Sequence, residues 1–277
     1  MSLGIAFKGP EGIVLAADSR VTLSAEMQHG AEKMMIPATY DNATKLLQLS
    51  GYNRVGVVTY GLGAIGLQEP RMAHSFLPEM EEALSKENFA HYSVIDFAMR
   101  FSKFFMEQWR GQMPTDYSGP DMVFLIGGFD EGAPYGKVYE VDIPSKPNPV
   151  EQNTDQFGVI WGGQLEYTNR LIKGFDPQLP VIAQKFLGLT DDQRIALQEH
   201  LEGALSTRIP YPFLPLQDCV NLSIFLIRTT MELQNWTIGV RGVGGAIDVA
   251  TITRTDGFKP VQRKMIVGQK SIMWNSV

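Results

Sequence analysis

Two short apolar runs open the chain, Leu3–Lys8 and 12–17, with Gly9-Pro10-Glu11-Gly12 between them, and this pattern predicts a β-hairpin. The second run is apolar at every position, which predicts a strand covered on both faces. Residues 45–49 and 55–60 repeat the arrangement around the turn Ser50-Gly51-Tyr52-Asn53. Apolar residues then recur at helical spacing over 71–84 and 93–112, where Val94, Phe97, Phe101, Phe104 and Phe105 mark one stripe. Strands are predicted again at 122–129, 137–143 and 156–161, with the proline-rich 144–149 as a turn-rich connection. Helices are predicted over most of 165–236, with start signals at Thr190-Asp191-Asp192 and Pro215. Ile247, Val249 and Ile252 alternate with smaller or polar residues over 246–253, and Thr255-Asp256-Gly257 turns that strand into a closing one.

The order is strands, two helices, strands, helices, strands, without the regular alternation of a parallel α/β sheet. It predicts an α+β fold with helices on both sides of packed sheets, in one domain spanning 1–277. At 277 residues and 44% apolar content the chain can bury a substantial core. The net charge of -6, with Lys and Arg spread along the chain, argues against a nucleic-acid partner. A single cysteine excludes an internal disulfide and points to a reducing, cytoplasmic compartment. The opening residues carry no signal-peptide pattern, and no apolar run approaches the length of a membrane span.

Gly61-x-Gly63-x-x-Gly66 follows a predicted strand and precedes a helix, the local setting of a dinucleotide fingerprint. The βαβ unit that such a fingerprint needs is missing, so it reads as a glycine-rich turn and no cofactor is expected. His29, His74, His91 and His200 show no metal-ligand spacing among themselves or with Cys219, so no metal is expected. Cys219 lies among Val220, Leu222 and Phe225 and reads as buried and inert. Asp18 and Arg20 stand at the end of a buried strand, and Lys45 opens another. Taken singly they read as a solvated ion pair and an edge lysine. Brought together in a partly dry cleft, a lysine held by a carboxylate can tune the proton affinity of a neighbouring hydroxyl.

Gly4-Ile5, the run Gly12-Ile13-Val14-Leu15-Ala16-Ala17-Asp18-Ser19-Arg20, Lys45-Leu46-Leu47-Gln48-Leu49 and Tyr60-Gly61-Leu62-Gly63 resemble the opening sheets of proteasome β-type subunits. Gly244-Gly245-Ala246-Ile247-Asp248-Val249-Ala250-Thr251-Ile252-Thr253-Arg254, followed by Asp256-Gly257, resembles their C-terminal hairpin. The resemblance, to a divergent bacterial-type homologue, implies a four-layer αββα N-terminal-nucleophile hydrolase sandwich. It implies a threonine- or serine-type peptidase or amidase acting on a peptide or protein, and subunits joined into a ring-like homo-oligomer. The family's interval counted back from Asp18 reaches Ser2, which becomes the nucleophile once Met1 is removed, its own α-amine acting as base. By the same resemblance Asp18 and Arg20 belong to the catalytic set, Asp18 holds Lys45, Lys45 lowers the hydroxyl's proton affinity, and the Gly61 backbone faces the oxyanion. Gly162 and the segment Val240-Arg241-Gly242-Val243 stand where the family carries residues that support the amine. Those positions favour the alternative that the resemblance also implies, a non-catalytic ring-forming subunit.

Against the shorter connection that the resemblance implies, residues 176–214 read as an insertion between the two late helices. It carries helical patterns and the apolar, proline-rich 209–215. It is expected either to change how subunits stack or to cap the subunit's own core.

Overall fold

The computed structural model describes residues 2–29, 32–67, 69–86 and 92–268, so that Met1 and His91 lie outside the described residues. Strands β1 (Leu3–Lys8) and β2 (Ile13–Asp18) form the predicted hairpin, and all their residues are buried. They occupy the middle of a five-stranded antiparallel sheet with β10 (Gly158–Gly163), β11 (Ile247–Thr253) and β12 (Gly257–Gln262), in the order β10-β1-β2-β11-β12. A second antiparallel sheet has the order β5-β6-β7-β8-β9: Leu46–Leu47, Val55–Gly61, Met122–Gly128, Lys137–Ile143 and Lys146–Gln152.

Three apolar clusters account for the packing. Ile13, Leu15 and Ala250 of the first sheet meet Val58, Leu125 and Val138 of the second, so the sheets face one another. On the other side of the second sheet lie α1 (Leu77–Lys86) and α2 (Val94–Gln112). Helix α2 begins in a capping box between Ser93 and Asp96 and presents Phe97, Phe101 and Phe105 to the sheet. Phe101 and Phe105 meet Phe124 of β7 at ring-centre distances of 4.9 and 4.6 Å. On the other side of the first sheet, α6 (Leu216–Asn235) buries Cys219, Val220, Leu226 and Ile227 against Leu3, Ile5 and Phe7. Among the described residues no helix is long and apolar enough to cross a membrane.

The structure corrects the sequence reading at four places. A hairpin not anticipated from the sequence, β3 (Val21–His29) with β4 (Glu32–Tyr40), leaves the body of the fold directly after Arg20. Residues 144–149 are not simply a connection, because β9 starts at Lys146. As an edge strand it needs no ladder hydrogen bond on its outer side, which makes room for Pro147 and Pro149. The helix predicted from 71 starts later: Arg71 bridges to Ile65, Ala73–Phe76 is a 3-10 turn, and α1 follows. The insertion is a pair of mutually packed helices, α4 (Gln178–Leu187) and α5 (Asp191–Leu205), between α3 (Glu166–Ile172) and α6. Its helices do not cap the core, since α4 buries only Pro180 and α5 buries nothing, but Tyr211 and Leu214 farther along pack against the cluster formed by β1 and α6.

The glycine motif at 61–66 is no dinucleotide fold. Strands β6 and β7, on either side of it, are antiparallel neighbours, so the parallel crossover of a βαβ unit cannot form. Cys219 is fully buried on α6, and burial pushes its thiol up to about 11, as befits an inert core thiol.

Candidate active site

Asp18 is the last residue of β2, at the point where the chain leaves the first sheet for the β3–β4 hairpin. Its carboxylate is 1% exposed and accepts four hydrogen bonds. Oδ1 takes the Leu3 amide at 3.0 Å and Lys45 Nζ at 2.7 Å. Oδ2 takes the amides of Arg20 and Gly244, each at 3.0 Å. One side chain thereby ties the start of β1, the exit of β2, the entry to β5 and the approach to β11. Three N–H donors and an ammonium satisfy a buried negative charge that would otherwise be prohibitively costly.

Lys45 Nζ also donates to the Arg20 carbonyl. Burial pushes its pKa below the ordinary lysine value, with the Asp18 charge and hydrogen bond working in the opposite direction. A buried ammonium with weakened hold on its proton, fixed by a carboxylate, is the arrangement that alters the acidity of a hydroxyl beside it.

Ser2 is buried at the foot of β1. Its carbonyl accepts from Gln164 N at 2.8 Å, which anchors it to the end of β10. Ser2 and Lys45 line one small cavity of about 20 Å³, closed by Val21, Ala43, Met72 and Met122 and by Thr59 and Tyr60 of β6. The structure therefore brings Ser2, Lys45 and, through Lys45, Asp18 together.

Two other candidates sit differently. The Arg20 guanidinium turns to Asp41, with Nε to Oδ1 at 2.6 Å and Nη2 to Oδ2 at 2.8 Å, and holds the Asp41 carboxyl below its usual range. It lies so close over Gly244 that a side-chain carbon there would come within 2.6 Å of Nε. That contact gives the glycine in Gly244-Gly245 a packing role. Arg20 serves the site through its main chain, one amide to Asp18 and one carbonyl to Lys45. Gly61 ends β6 opposite Met122 in left-handed backbone (φ 85°), pressed against the Asp121 carbonyl, and does not line the cavity. Gly63, two residues on, does. Tyr60 also lines it and was missed from the sequence. The available signal was the pair of glycines, Gly4 and Gly162, in strands otherwise packed with side chains.

No family model matches the chain, and no curated protein matches it. Among solved structures it is similar to an Anbu (Gly-1) mutant from Hyphomicrobium sp. strain MC1, at 16% identity over 95% of this chain and 86% of that chain, with a TM-score of 0.54. It is also similar to the helical assembly of the Anbu complex from Pseudomonas aeruginosa, at 14% identity over 94% of this chain and 84% of that chain, with a TM-score of 0.52. The fold is similar to that of Anbu. The resemblance to proteasome β-type subunits read from the sequence is corrected accordingly, since no family model supports it and these two similar structures are Anbu chains. The motifs that suggested it have local physical causes. β1 and β2 are apolar because both faces are covered, and Gly244 is small because Arg20 lies on it.

Proposed function

We propose that this chain is an N-terminal-nucleophile hydrolase of amide bonds, folded as the four-layer αββα sandwich of that type and acting in the cytoplasm. Ser2 becomes its first residue once Met1 is removed. The observation that carries this reading is the buried Lys45–Asp18 pair, 2.7 Å apart, at a cavity that Ser2 also lines. In the reaction Ser2 Oγ attacks the substrate carbonyl carbon while its proton passes to the residue's own α-amine. Lys45 lowers the proton affinity of the hydroxyl, and the Gly63 backbone, which lines the cavity where Gly61 does not, supplies the oxyanion donor. The C–N bond then breaks, the leaving amine takes the proton from the α-ammonium, and water releases the acyl group from Oγ. The substrate class is a peptide or protein.

The test is intact mass combined with a serine-directed electrophile such as a peptide β-lactone. The expected result is a chain lacking Met1 that gains one adduct, mapped to Ser2, and none in Ser2→Ala. Equal labelling of Ser2→Ala, or retention of Met1 in the native host, defeats the reading.

One observation favours a second reading, a non-catalytic assembly subunit. Helix α4 presents Ile182, Phe186 and Leu187 to solvent, at 58%, 86% and 63% exposure, and itself buries only Pro180. Apolar surface of this kind is usually covered by a partner. We propose that the partner is a second copy of the chain, an idea supported by the helical assembly described for the Pseudomonas aeruginosa Anbu complex. Replacing 176–214 by a short linker is expected to lower the oligomer's mass in native mass spectrometry. A monomer at micromolar concentration, before and after deletion, defeats this proposal, and Ser2 labelling decides between the catalytic and non-catalytic readings.

A further inference from the structure

Strands β1 and β10 are paired so that Gly4 lies directly across from Gly162. Both glycines face the second sheet, and the ring of Tyr60 fills the space above them. A side-chain carbon built on Gly4 would come within 2.7 Å of Tyr60 Cδ1, and one built on Gly162 would overlap Cζ and the hydroxyl oxygen. The ring thus runs from β1 across to β10, with its hydroxyl end over Gly162. Ser2 is two residues from Gly4 on one strand, and its carbonyl is held by Gln164, two residues from Gly162 on the other. Tyr60 and Ser2 line the same cavity.

A phenylalanine would fill the same space, so packing alone does not account for the hydroxyl at the end of the ring. Its surroundings are polar on the far side. Tyr60 pairs across the sheet with Val123, and Val123 with Asp142, so Tyr60 and Asp142 share one face of the second sheet. Asp142 Oδ1 is buried and has no hydrogen-bond partner among the described residues. Burial and the adjacent Asp142 hold the neighbouring Glu140 carboxyl above its usual range. Burial first, and then the Glu140 and Asp142 charges, push the Tyr60 phenol above its ordinary value, so it stays a neutral hydroxyl at any working pH.

We propose that the Tyr60 hydroxyl is a positioning group for the amino terminus of the mature chain, reaching Ser2 through the gap that Gly4 and Gly162 leave open. The proposal rests on the reading of Ser2 as the mature first residue. The phenol oxygen accepts from an α-amine N–H, which turns the amine lone pair toward Ser2 Oγ. A hydroxyl thereby reaches the first residue from the second sheet, while β10, the strand paired with β1, contributes only a glycine there.

The experiment compares the wild-type protein with Tyr60→Phe, which keeps the ring and its packing. The first readout is the titration of the α-amine, followed by the pH dependence of its acylation by a small reagent and quantified on the N-terminal peptide. This readout needs no turnover. The charged groups around the amine are Asp18 of β2, Lys45 before β5 and, beyond the ring, Glu140 and Asp142 of β8. All of them are retained in Tyr60→Phe. Loss of the acceptor should lower the amine's midpoint by about half a pH unit or more, because the protonated amine loses a partner. The second readout is β-lactone labelling. Its maximal rate should fall about tenfold while the half-saturating concentration stays unchanged. Tyr60→Ala combined with Gly162→Ser supplies a hydroxyl from the opposite strand and should recover much of that rate.

An amine midpoint in Tyr60→Phe equal to that of the wild type overturns the proposal. Wild-type labelling with an unchanged midpoint leaves the hydrolase reading standing and removes Tyr60 from it. A shifted midpoint with no labelling of the wild type keeps the positioning role and removes the hydrolase reading.

Discussion

Lys45→Met is expected to lower covalent labelling of Ser2, and any turnover, by about a thousandfold or more, because nucleophile and tuning charge act as a unit. Methionine retains the apolar stem that lines the cavity and removes only the ammonium. The fold should tolerate the change. Asp18 keeps the amides of Leu3, Arg20 and Gly244 on its two oxygens, so its charge is not left unsatisfied. Lys45→Arg should fail as well, since the guanidinium is bulkier, gives up its proton far less readily, and would have to fit between Asp18 Oδ1 and the Arg20 carbonyl. The measurement is the second-order rate of adduct formation by intact mass, alongside a thermal melt. A Lys45→Met protein that labels within a few-fold of the wild type would remove Lys45 from the mechanism.

The second large effect concerns the partner. Asp18→Asn should cost about 3–5 kcal/mol of stability near neutral pH, the range found when one member of a buried ion pair is removed. The neutral amide leaves Lys45 as a buried, unmatched cation, and one of its two polar atoms is an NH₂ group turned toward donors. The deficit has a pH signature. Burial already holds Lys45 below its ordinary value, and removing the Asp18 charge lowers it further. In this variant the unfolded chain holds the lysine proton more tightly than the folded chain does, so stability rises with pH toward the unfolded lysine value of about 10.4. The gap from the wild type should therefore narrow between pH 7 and pH 10 in urea titrations. A gap that widens over that range would mean that Lys45 is not the group left stranded.

Most strands of the two large sheets were legible because their signal is local. β1 and β2 are apolar up to their last residues, Lys8 and Asp18, β8 is bounded by turn residues, and Ser93 with Asp96 announces α2. The β3–β4 hairpin carried a signal that went unread: Val21, Leu23, Ala25 and Met27 alternate with Thr22, Ser24, Glu26 and Gln28. At β9 the two prolines suppressed a strand, and only the sheet order shows that it is an edge. The site was partly legible. Asp18 and Lys45 could be named from the strand ends they occupy, but the direction of the Arg20 side chain depends on Asp41, and the place of Tyr60 depends on glycines 56 and 102 residues away in sequence. Relations of that kind are created by the register of paired strands, which no window of sequence contains.

The order of the first sheet bears on when the cavity can exist at all. β11 is synthesised long after β1 and β2, yet it lies inside the sheet, between β2 and β12, and the residue that leads into it, Gly244, closes the fourth hydrogen bond on Asp18. A chain still emerging from the ribosome has made Ser2, Asp18 and Lys45 but lacks the strand that flanks β2 and the amide that completes the carboxylate's shell. The charges around Ser2 cannot settle into their final places until Gly244 and β11 have left the ribosome. On the proposed reading of Ser2, the topology of the sheet keeps a nascent chain chemically quiet.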